Sequence, residues 1–142
     1  MTDVQRVAFE ERLWLHAAKG PFEFHNGVAV GADLEALYAI PNGKHRPEHV
    51  HLWPAGSTHE QQAAAFVRGY GALQVTVHPT MAAMTRDRAM VDAGNILLAT
   101  PFEMREALYG GTWGTVAYAR MRCRHIETIW PDGTIRMEGE AP

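Results

Sequence analysis

The chain has one cysteine in 142 residues, which excludes an internal disulfide and a paired-thiolate zinc motif and fits a reducing, cytoplasmic setting. It has no uncharged apolar run approaching the ~18 residues of a membrane span. Its opening stretch MTDVQRVAFEERLW lacks the basic region and apolar core of a secretory leader. No membrane partner is therefore expected. Positive charge is not in surplus either: 13 Lys and Arg against 16 Asp and Glu leave a formal net charge of -3. A nucleic-acid partner has no support from that balance. Internal repeats, low-complexity runs and linkers are missing, so one domain over 1–142 with a single core is the expectation.

What is present reads as helices followed by strands. Thr2-Asp-Val-Gln5 has capping-box spacing, and apolar residues recur at helical intervals up to Gly20-Pro21, predicting a helix over 3–19. Glu11 falls on that apolar stripe, either snorkelling from its edge or turned toward a pocket. Residues 21–30, with Asn26-Gly27 in the middle, read as a short hairpin or an irregular loop. A second helix covers Asp33 to Ile40, stopped by Pro41-Asn42-Gly43. Val50 and Leu52 alternate with His49, His51 and Trp53, predicting a strand over 48–53. Ser57 or Thr58 is expected to cap a third helix that ends at Gly69 and Gly71. Beyond it the pattern predicts strands: Leu73, Val75 and Val77 alternate with Gln74, Thr76 and His78, another strand ends at Ala89-Met-Val91, and a third covers Asn95 to Thr100.

The longest predicted strand is Thr115 to Trp130, turning through Pro131-Asp132-Gly133 onto Thr134 to Glu138. On strand geometry Met121, Cys123, His125, Glu127 and Ile129 share one face, and Tyr118, Arg120, Arg122, Arg124, Ile126 and Trp130 share the other. The arginine row flanked by large apolar groups predicts a homodimer packed through this outer sheet face. Helices first and antiparallel strands later make the expected class α+β: a single curved sheet with helices over its concave side.

Several phrases resemble the SnoaL-like and ketosteroid-isomerase-like superfamily, which has the cone-shaped fold named after a nuclear transport factor. GADLEALYAI resembles its second helix, HLWPAG its first strand and turn, TRDRAMVDA its central strand, and HIETIWPDGTIRMEG its terminal hairpin. The chain departs from that pattern in the insertion at 21–30 and in a longer connection between Thr100 and Trp113. The resemblance implies a strongly curved antiparallel sheet enclosing a deep apolar pocket, with N-terminal helices over the concave face.

In such a pocket His125 would stand near the position of an acidic hydrogen-bond donor, with Glu127 beside it and His51 across the cavity. Glu11, Trp14, Trp53, His78, Met121 and Cys123 would line it as substrate-binding residues. The function expected is acid/base catalysis without a cofactor, such as isomerisation, dehydration or cyclisation, on a hydrophobic oxygenated small molecule. Trp53 stands where the steroid isomerases keep their basic carboxylate, so their mechanism does not transfer directly. A non-catalytic ligand-binding or dimerisation domain is the alternative. A third is a metal-dependent hydrolase or oxygenase using His45, His49, His51 and His59, although no glutamate completes a known metal motif and no metal is expected.

Overall fold

In the computed structural model, which describes residues 1–42 and 46–142, the first helix α1 spans Asp3–Ala17. Its capping box is complete: the Thr2 hydroxyl accepts from the Gln5 N–H at 3.0 Å, and the Gln5 side chain accepts from the Thr2 N–H at 3.3 Å. Gln5 also donates to Ile129 O at 2.7 Å and Pro101 O at 2.9 Å, stitching the start of the helix to distant chain ends.

From there strands and helices alternate: β1 Glu23–Asn26, α2 Ala32–Ala39, β2 His49–Leu52, α3 Ser57–Gly69, β3 Val75–Val77, α4 Ala83–Ala93, β4 Ile96–Ala99, α5 Gly111–Met121, β5 His125–Ile129 and β6 Ile135–Glu138. A single 3-10 turn, Ile40–Asn42, follows α2. The strands form two three-stranded sheets. The first has the order β1-β2-β3, all parallel, with Phe24 opposite Val50 and Val50 opposite Val75. In the second, β4 and β5 are parallel while β5 and β6 form an antiparallel hairpin.

This corrects the expected architecture. The molecule is a small α+β fold with neither sheet curled into a cone and one of them wholly parallel. Two helices occupy stretches read as strand: one carries the chain from the first sheet to the second, and the other is the crossover that the parallel pair β4 and β5 needs. Residues 83–93 are helical and bury Arg86 and Val91. Residues 111–121 are helical and bury Trp113, Val116 and Ala119, three residues apart on one face. The expected strand from Thr115 to Trp130 is thus a helix, a turn and a short strand. The turn is a Schellman motif: Cys123 N–H donates to Arg120 O at 3.1 Å and Arg124 N–H to Ala119 O at 3.0 Å, with Cys123 in the left-handed region at φ 52. No arginine row lies on a sheet face. Arg120, on α5, pairs with Glu106 and Glu138, and Arg122, in the turn after it, pairs with Asp92.

Three apolar clusters hold the layers together. Ala8, Phe9 and Leu13 of α1 pack with Ala36, Ile40 and Ile129, joined by Phe24 from β1 and Leu98 from β4. Val28, Leu37, Val50, Leu52, Ala63 and Phe66 seal α2 and α3 onto the first sheet. Val91, Ala99, Trp113, Val116, Ala119 and Ile126 seal α4 and α5 onto the second. Each fully buried Leu, Ile or Phe contributes about 1.5–3 kcal/mol. Because β5 is covered from both sides, all of its residues are buried, which hides the alternation a sequence reading relies on. Among the described residues no helix is long and apolar enough to cross a membrane.

Candidate functional site at the carboxyl edge and polar face of the parallel sheet

The loop leaving β1 is built to hold one conformation. Asn26, buried, accepts the Val28 N–H at 2.8 Å and donates to Asp33 O at 2.8 Å. Val28 lies at φ 52 with no exposure, a conformation that β-branched residues avoid and that clusters at functional sites. Gly27 sits beneath Arg86 and Asp33: a Cβ there would stand 2.6 Å from Asp33 Oδ2. Arg86, 6% exposed, donates to the carbonyls of Gly27 and Trp53, the latter at 3.0 Å, and to Asp87 at 2.6 Å. It thereby clamps the ends of β1 and β2. Burial raises the Asp33 pKa against an opposing hydrogen bond from the Ala29 N–H.

The helices that follow the parallel strands all start without a side-chain cap. Gly31, Gly56 and Gly110 occupy the N-cap positions of α2, α3 and α5 at φ 111, 136 and 118, and Ala82 that of α4. Only α1, which follows no strand, has its first N–H groups capped. Uncapped first turns present unpaired donors and positive dipole ends.

One face of the first sheet is apolar and the other carries imidazoles. Pairing sets His25 opposite His51 and Glu23 opposite His49, and places Thr76 beside His51. The His25 and His51 rings stack at 4.4 Å, His49 and His51 at 4.3 Å, and His78 lies flat on Trp53 at 3.5 Å. Trp53 Nε1–H donates to His25 Nδ1 at 3.1 Å, His51 Nδ1 meets His78 Nε2 at 3.0 Å, and His49 Nε2 meets Thr76 Oγ1 at 2.6 Å. Burial, and then the neighbouring His51, lower the His25 pKa to about 4. Burial together with neighbouring imidazoles lowers those of His51 and His78. The shifts hold His25, His51 and His78 toward their neutral forms.

A second polar cluster lies beneath α1. Glu127, with no exposure, takes Arg12 Nε at 2.6 Å and Arg12 Nη2 at 2.7 Å, His16 Nε2 at 2.7 Å and His125 Nε2 at 3.0 Å. Burial would raise its pKa, but these hydrogen bonds outweigh that penalty and hold it down at about 2. His125 is 5% exposed.

His125 and Glu127 are therefore together as expected, while His51 belongs to the other sheet and does not join them. Trp53 and His78 meet on the imidazole face. Trp14 packs against the first core cluster, Glu11 is exposed, Met121 is 78% exposed near the end of α5, and Cys123 forms the exposed turn after it. These residues line no common pocket. His59 Nδ1 accepts from the Ala55 N–H at 3.2 Å, and His45 lies outside the described residues. Sequence reasoning missed Arg12, His16, Glu23, His25 and Arg86. Arg12 and His16 carried a usable signal, because i,i+4 spacing places them on one face of a helix.

The site is thus of the class in which parallel strands deliver rigid loops and open helix starts to one edge. Compared with protein-family models, curated proteins and solved structures, the chain matches none.

Proposed function

We propose that this protein binds a small anionic ligand, one bearing a phosphate-like group, over the carboxyl edge of β1, β2 and β3. The observation that carries this is the set of uncapped starts of α2, α3 and α4, reached by short loops from the ends of three parallel strands. Backbone N–H groups and dipole ends converging on one edge attract anions. Arg86, paired with Asp87, holds the strand ends there in one conformation, and Ser57 and Thr58 add exposed hydroxyls. The carboxylates near these helix starts are engaged: Asp33 with the Ala29 N–H, Glu35 with the Met1 amine, Glu60 with Thr80 and Asp87 with Arg86. A proton shuttle between His51 and His125 has no geometric support, since the two lie on different sheets and His125 is sealed beneath α1.

The test exploits the dual effect of an acidic residue in a first turn. Thr58→Asp with Thr85→Asp places a carboxylate at exposed starts of α3 and α4, where it favours the helices by about 0.3–1 kcal/mol each and repels an anion. Titration with inorganic phosphate, AMP, ADP and NAD should find a ligand for the wild-type protein. The double variant should bind it at least tenfold more weakly while melting no lower. No binding from that panel, or equal binding by the variant, would defeat the reading.

A further inference from the structure

We propose that Glu23, His25 and His51 form a site for a divalent transition-metal ion of the zinc class, on the polar face of the first sheet. The site is separate from the carboxyl-edge ligand and does not depend on it.

The backbone makes the constellation. Glu23 and His25 are two residues apart on β1, so both project from one face, and parallel register sets His51 of β2 directly beside His25. The three donor atoms all lie within 4.8 Å of one another. Glu23 Oε2 is 3.4 Å from His51 Nε2 and 3.8 Å from His25 Nε2. Two ligands at zinc bond lengths on a tetrahedral ion stand about 3.4 Å apart, so one ion satisfies these spacings with little movement. Such an ion would keep a fourth position for water.

His51 is the donor prepared for this role. Its Nε2 is buried, makes no well-aligned hydrogen bond, and has the Glu23 carboxylate at 3.4 Å, so the atom is turned toward the proposed ion. Its Nδ1 contacts His78 Nε2. When Nδ1 carries the proton and donates to His78, Nε2 offers a lone pair, the arrangement by which an outer partner orients a metal-binding histidine. Glu23, with a side chain 57% exposed, supplies the charge and the route from solvent.

His25 is prepared in the opposite sense. An indole N–H only donates, so Trp53 fixes His25 Nδ1 as an acceptor and the neutral ring keeps its proton on Nε2, the atom facing Glu23. Coordination through Nε2 moves that proton to Nδ1 and breaks the Trp53 bond. Trp53 thus opposes the third ligand and holds the affinity below what the spacing alone would give. The other triad, His16, His125 and Glu127, is closed to a cation because Arg12 occupies both Glu127 oxygens.

The experiment uses the full chain without a histidine tag, titrated calorimetrically with zinc chloride alone. One zinc per chain at micromolar concentration is expected. His51→Ala should weaken binding at least a hundredfold and Glu23→Gln about tenfold, and Glu23, being exposed, gives a variant whose fold is not at risk. Trp53→Phe, which keeps a ring against His78 and removes the opposing donor, should tighten binding several-fold. A wild-type chain that takes up no stoichiometric zinc, or Glu23→Gln binding as wild type, overturns the site. So does a Trp53→Phe chain that binds no tighter, because His25 then is not a ligand.

Discussion

Glu127 survives without solvent because both of its oxygens are met. Arg12 grips both oxygens, His16 and His125 share one of them, and together they offset a desolvation cost of several kcal/mol. Glu127→Gln leaves Arg12, whose side chain is 20% exposed, without its counter-charge and should cost about 1–3 kcal/mol in urea denaturation, whereas Glu11→Gln on the exposed side of α1 should stay within about 0.5 kcal/mol. The sign with pH follows from the depressed pKa. The stabilisation is complete above the ordinary value of 4.5 and is lost as pH falls from there toward about 2. The pairing of His125 with Glu127 was legible from strand alternation alone. Their partners were not, because nothing in a linear chain ties Arg12 to a position more than a hundred residues away.

At the scale of the element, legibility followed local signals. The first helix, the second and third helices, the strand at 49–52 and the hairpin at Pro131-Asp132-Gly133 all carry caps, stops or turn residues, and all stand where expected. Helix α5 carries few of them. It contains Gly111, Gly114, Thr112, Thr115 and Val116, none a strong helix former, and it ends on Cys123 where a Schellman motif favours glycine. Without the glycine the helix end was invisible, and the arginines beyond it read as a strand. The same residue gives a test. Cys123 is exposed and buries nothing, so Cys123→Gly relieves the left-handed strain of about 1–2 kcal/mol at a smaller cost in chain entropy. A gain of about 1 kcal/mol in unfolding free energy is expected, measured with reductant present. No gain would mean that the turn is not strained.

For the molecule as a whole, the half-buried imidazole cluster and the buried Glu127 cluster divide the acid limb of stability between them. His25, His51 and His78 bind protons more readily when unfolded, so their contribution is complete above the ordinary imidazole pKa of 6.5 and drains away as pH falls below it, for His25 toward about 4. The His25 shift alone amounts to about 3 kcal/mol over that window. The melting temperature should fall between pH 7 and 5, and His25→Gln should flatten that fall. A melting temperature constant over this range would contradict the neutral stack. Below pH 4.5 the Glu127 cluster takes over, and the two windows should resolve as successive steps.

The all-parallel first sheet also sets the order of events when the chain folds. Each rung joins residues far apart, Glu23 with His49 and Val50 with Val75, whereas Ile129 meets Ile135 across a tight turn. Closing a long crossover costs entropy before any rung repays it, while a hairpin closes in about 1–10 microseconds. The β5–β6 hairpin and the capped first helix therefore form early, and β1, β2 and β3 assemble late. During that interval the Val50 and Leu52 edge stands bare. A nascent chain is most vulnerable to association then, and the strands that carry the histidines are the last to leave that state.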